Sequence, residues 1–160
     1  MKNVLVFPAF LLSGFLSGKL IVPSDTHSFA IFYIAGLLFG ATFILVNGFI
    51  VKKTFESIFF IFLSTLAYFS AVMLCIQANA HMALVGLCGA AIVSIAALSL
   101  FKTHPLFALL AIAAGSALAL LMYITKMKHE NELAYTFSLW QGVVGTLLSV
   151  GTRIKYDPGQ

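Results

Sequence analysis

Six stretches of this chain are almost uninterruptedly apolar, and the gaps between them leave room for little but turns. They run near Val4–Val22, Ser28–Val51, Ser57–Gln77, Met82–Phe101, Leu106–Thr125 and Ala134–Gly151. A helix needs about 20 residues to cross the hydrocarbon core of a bilayer, and each stretch is close to that length. The connections KKTFE, ANAH and KTHP are tight, so neighbouring helices must run antiparallel. The longest connection, KMKHENEL, leaves no room for a soluble domain. The sequence therefore predicts an all-α, polytopic membrane helical bundle of about six transmembrane helices, up-and-down, forming a single integral membrane domain over residues 1–160.

Composition agrees. Hydrophobic residues make up 61% of the chain and charged residues 9%, where a soluble domain carries about 25% charge. The formal net charge of +4 is scattered through the hydrophilic gaps with no basic stripe, which argues against nucleic acid as a partner. The expected partners are the lipid bilayer and either another protein or a second copy of the chain, as a homo-oligomer.

Lysine and arginine set the orientation. Lys2, Lys52, Lys53, Lys102, Arg153 and Lys155 fall on one side, against Lys19, Lys126 and Lys128 on the other. Both termini are thus expected in the cytoplasm and the protein in a bacterial inner membrane. The first stretch shares features with a signal peptide (Lys2, an apolar core, then small residues), but no A-x-A-like site follows, and it is expected to remain as a span. Pro23 should end it, with Ser24 or Asp25 capping the second helix. Thr103 should cap the fifth ahead of Pro105.

Small residues recur at helical spacing. Tyr33, Gly36, Gly40, Phe43 and Asn47 share one face of the second helix, and Gly36 with Gly40 forms a GxxxG. Gly14 and Gly18, then Gly86, Ala90 and Ser94, then Ala111, Gly115 and Ala119, then Ser138, Gly142, Gly145 and Ser149 form comparable seams. Asn47 is therefore expected on a packed face, as interhelical glue or as a ligand contact. Gln141 invites the same pair of readings. Its neighbour Trp140 is expected to anchor the outer interface. The candidate ligand-binding residues are Asn47, Gln141, Gln77 and Tyr68.

All five acids, Asp25, Glu56, Glu130, Glu132 and Asp157, lie outside the predicted spans. That counts against a buried-carboxylate proton relay and against intramembrane protease or phosphatase chemistry. No phosphate-binding glycine loop, HExxH or GxSxG is present. No catalytic residue and no cofactor is assigned, and the chain is read as leaning away from an enzyme. His27, His81 and His129 share the predicted outer surface with Asp25, Glu130 and Glu132, but without metal-ligand spacing they are weak metal candidates and no site is assigned. Cys75 and Cys88 fall at similar depth and are expected as free thiols rather than a disulfide.

The expected function is a transport-related or solute-binding membrane subunit with an outward-facing site. The alternative is a structural or assembly subunit of a larger membrane complex. A lipid-modifying membrane enzyme fits least, for want of acids and mid-membrane histidines.

Overall fold

The computed structural model describes residues 5–21, 30–49, 53–77, 82–124 and 130–154. Among them are six helices and no strand: α1 Val6–Ile21, α2 Ala30–Asn47, α3 Thr54–Gln77, α4 Met82–Phe101, α5 Pro105–Ile124 and α6 Glu130–Arg153. Consecutive helices pack side by side, and α6 closes the ring against α1. It also lies against α2 and α4, so it is the hub of the bundle. The closure is antiparallel: Gly18 faces Ala134, Gly14 faces Phe137 and Ser138, and Gly145 faces the Phe10 ring.

Glycine decides which helices approach most closely. At Gly36 any side chain would run into the backbone of Ser64 and Thr65 on α3, and at Gly14 into the backbone of Phe137 and Ser138. Each tight pair adds a serine bond. Ser64 Oγ donates to the Gly36 carbonyl at 2.8 Å and Ser116 Oγ to the Ala83 carbonyl at 3.1 Å. Ser138 Oγ donates to the Leu11 carbonyl. The seams read from the sequence thus build three antiparallel pairs: α1 with α6, α2 with α3, and α4 with α5. Tyr33 is the exception on the α2 face; it is exposed and stacks on Phe69 with ring centroids 5.0 Å apart.

One end of the bundle gathers the C-termini of α2, α4 and α6. Helix α2 stops in a Schellman turn: Gly48 adopts φ 68°, its N–H donates to the Leu45 carbonyl, and Phe49 N–H donates to that of Ile44. Phe49 then stacks on Phe101 at 4.4 Å, within a cluster that includes Phe43 and Phe60. Lys53 Nζ donates to the Leu100 carbonyl and lies over the Phe101 ring, at the negative end of α4. Lys102, Lys53 and Arg153 make this the more basic end among the described residues, where Lys19 is the basic residue at the opposite end.

Four expectations need correction. Helix α3 begins at Thr54 rather than Ser57, and α6 runs from Glu130 to Arg153 rather than 134 to 151, because the polar ENEL segment joins the helix. The cap of α5 is His104, not Thr103. His104 Nδ1 accepts from Leu106 N–H at 3.3 Å, whereas Thr103 Oγ1 turns back to the Ala97 carbonyl of α4. Trp140 is not an interface anchor; it is 9% exposed at the centre of the bundle. The all-α bundle stands as expected; by length and composition two of its segments pass as membrane spans among the described residues, Thr54–Ala71 and Ala83–Phe101. The apolar parts of α1, α2 and α5 are shorter, and α6 is broken by the polar residues it carries into the centre. Residues Pro23, Ser24 and Asp25 lie outside the described residues.

Candidate functional site: a buried polar centre

Halfway along α6, the amide of Gln141 is fully buried. An amide in such surroundings must find partners, because an unpaired buried polar group costs about 1–3 kcal/mol. Helix α1 supplies them. Ser13 and Ser17 stand one turn apart on the face that Gly14 and Gly18 bring against α6. Ser13 Oγ donates to Gln141 Oε1 at 2.8 Å, and Gln141 Nε2 donates to Ser17 Oγ at 3.2 Å. Ser17 Oγ in turn donates to the Ser13 carbonyl at 2.8 Å. The second amide hydrogen reaches the Ala35 carbonyl of α2 at 3.4 Å, the longest contact of the set.

Tyr68 enters from α3. Its ring packs edge-on to Trp140 at 5.5 Å and stacks on Phe137 at 6.2 Å, the residues flanking Gln141 on that side of α6. Phe39 packs against both Tyr68 and Trp140, and Phe10 against Phe39. Trp140 Nε1 donates to the Gly115 carbonyl, which spends its only donor on α5. The Tyr68 hydroxyl is spent on nothing. It adjoins the Gln141 amide, yet it reaches hydrogen-bonding geometry neither with that amide nor with any other described group. The centre is thus a small cluster of polar side chains from three helices and a carbonyl from a fourth, enclosed by four aromatic residues of the bundle core.

The other sequence candidates separate from it. Asn47 lies at the basic end, twelve residues along α2 from Ala35, which is about 18 Å at 1.5 Å per residue. Its amide is saturated. Asn47 Nδ2 donates to the Phe43 carbonyl and to Ser149 Oγ, while Oδ1 accepts from Thr152 Oγ1 and Arg153 Nε. Arg153 also donates to the Val46 carbonyl, so Asn47 ties the last turns of α2 and α6 together. Gln77 ends α3, and its side chain lies outside the described residues. So do His27, His81 and His129. Among the described residues no three histidine, cysteine or acidic side chains gather as metal ligands. Cys88 is a half-buried free thiol, and the side chain of Cys75 lies outside the described residues.

Compared with known protein families, curated proteins and solved structures, the chain finds no match. Its chemistry has to be read from the centre itself. No charged group belongs to the cluster, and no nucleophile–base pair is formed there. What it offers is hydrogen bonding inside an apolar wall, which is the general make-up of a small-molecule site.

Ser13 and Ser17 were not among the sequence candidates. The signal for them is the i, i+4 spacing of two hydroxyls directly beside the Gly14-x-x-x-Gly18 seam: a seam tight enough to need glycine also brings its neighbours within reach of the partner helix.

Proposed function

We propose that all six helices span a membrane and that the bundle is a transport-related, solute-binding subunit centred on Gln141 and Tyr68. Large apolar side chains exposed around the bundle, such as Leu5, Leu45, Phe55, Phe62, Ile95 and Leu109, support the embedding, because a water-facing surface rarely carries so continuous an apolar area. The basic end with Lys53, Lys102 and Arg153 supports a cytoplasmic placement of both termini, as in a bacterial inner membrane. The observation that carries the binding assignment is the unpartnered Tyr68 hydroxyl beside Gln141 within an aromatic wall. Its mid-helix position matches the depth at which transporters hold their substrates, rather than the near-surface depth expected from the sequence. An energising partner or a second copy would complete a transport cycle.

A second reading, an assembly subunit of a larger membrane complex, is favoured by Asn47. Its four hydrogen bonds serve packing alone. Native mass spectrometry after mild solubilisation separates the two. A retained small molecule that Gln141→Leu releases supports solute binding. A stoichiometric protein partner with no small molecule supports the assembly role and ends the first reading.

A further inference from the structure

The turn between α4 and α5 holds the end of α6 through one residue. His104 N–H donates to the Gly151 carbonyl of α6 at 2.9 Å, and the His104 carbonyl accepts from Phe107 N–H at 3.0 Å. Its Nδ1 accepts from Leu106 N–H at 3.3 Å. Gly151 sits where an added Cβ would lie 2.8 Å from Thr103 Cγ2 and 2.6 Å from Phe107 Cβ, so the residues flanking His104 close on α6 as well.

One of these bonds depends on a proton. Only a ring nitrogen without hydrogen can accept from Leu106 N–H, so the capping form is the neutral imidazole with its hydrogen on Nε2. A second proton goes to Nδ1. It turns the acceptor into a donor that faces Leu106 N–H, and it places positive charge at the positive end of the α5 dipole. The bond is lost at Nδ1 whatever Nε2 meets. No substitute cap stands by: Pro105 has no N–H to offer, and the Thr103 hydroxyl is spent on the Ala97 carbonyl. The charged groups described at this end are Lys102 beside the turn, Arg153 in the last turn of α6, Lys53 against the end of α4, and Glu56 in the first turn of α3. The segment Pro105–Leu121 of α5 carries none. Of all these residue types, only imidazole ordinarily changes charge between about pH 5 and 8.

We propose that the α4–α5 turn is a proton-sensitive clamp on the hub helix α6, closed while His104 is neutral and loosened when His104 takes a proton. The other hold on this end of α6 is the Asn47 junction, built from Ser149, Thr152 and Arg153, none of which titrates in that range. Acid therefore frees α6 from α5 but not from α2. Under the membrane reading the clamp faces the cytoplasm and responds to its pH; the clamp itself does not depend on that reading.

Hydrogen–deuterium exchange of the solubilised full chain tests this, read by mass spectrometry at pH 8 and pH 5.5 and corrected for the intrinsic pH dependence of exchange. Protection of residues 103–108 is expected to fall about fivefold at the lower pH, the equivalent of one helix cap, while the end of α2 keeps its protection. His104→Asn supplies a cap that does not titrate, so its turn should stay protected at both pH values. His104→Ala should be poorly protected at both. A wild-type turn equally protected at pH 8 and pH 5.5 overturns the proposal, and so does an equal fall in His104→Asn. Melting curves establish that the variants fold; if His104→Ala does not, wild type and His104→Asn decide the question between them.

Discussion

Lys102 holds a conformation that most side chains avoid. At φ 55° it terminates α4 in the left-handed region, and its N–H donates to the Leu98 carbonyl. A side chain there costs roughly 1 kcal/mol relative to glycine. Lys102→Gly is therefore expected to raise thermal stability by about 1 kcal/mol, read from melting curves in detergent. Asn47 works in the opposite direction. Asn47→Leu strands Ser149, Thr152 and Arg153 at the α2–α6 junction, and a loss of about 1–3 kcal/mol is expected in the same assay. If Asn47→Leu melts like wild type, the junction does not hold α6 to α2. The packed position of Asn47 was legible in the sequence from its place in line with Gly36, Gly40 and Phe43. Its partners on α6 were not, because Ser149, Thr152 and Arg153 are about a hundred positions away and carry no local signal. Trp140 misleads for a related reason. Tryptophan near the apparent end of an apolar run ordinarily marks an interface, but here the helix continues back through polar Glu130–Glu132 and moves Trp140 to the middle.

At the level of helices, glycines that look alike in sequence do different work. At Gly36 an added methyl meets the backbone of α3, which cannot yield without parting the pair and breaking the Ser64 bond. At Gly89 the nearest atoms are the Ala71 methyl at 3.6 Å and the Trp140 ring at 3.8 Å, ordinary contact distances. Gly36→Ala is expected to destabilise strongly, whereas Gly89→Ala should be neutral or stabilise by up to about 1 kcal/mol through helix propensity. Equal melting temperatures for the two variants would refute this account of the seams. The four-residue recurrence of small residues made the seams themselves readable, and the α4 limits, Met82 and Phe101, coincide with the apolar run. Which helix each seam faces was not readable, because small residues fix the closeness of an approach and not its partner. The central place of α6 follows only once α1 is seen to pack on it. Its serines, threonines and amide make it the least apolar of the six, a helix better satisfied by protein neighbours than by lipid.

For the whole molecule, the six antiparallel helices bring the start of α1 and the end of α6 to the same, more basic end, and under the proposed membrane reading that end faces the cytoplasm. Reporter fusions at the N-terminus and at the C-terminus should both be active only inside the cell. Activity outside at one end alone would reject the six-span topology, and activity outside at both ends would reject the orientation. The hub position of α6 also has a consequence in time. Synthesis delivers α1 well before α6, so α1 waits for α6 to cover its glycine seam and its paired serines. Until α6 arrives, Ser13, Ser17 and Ala35 have no Gln141, and the newborn helices are held by hairpin contacts alone. A chain stopped before Glu130 should then be cleared by membrane proteases, and an α6 segment supplied as a separate polypeptide should rescue it. The bond between Gln141 and the α1 serines would then report that α6 has reached its place.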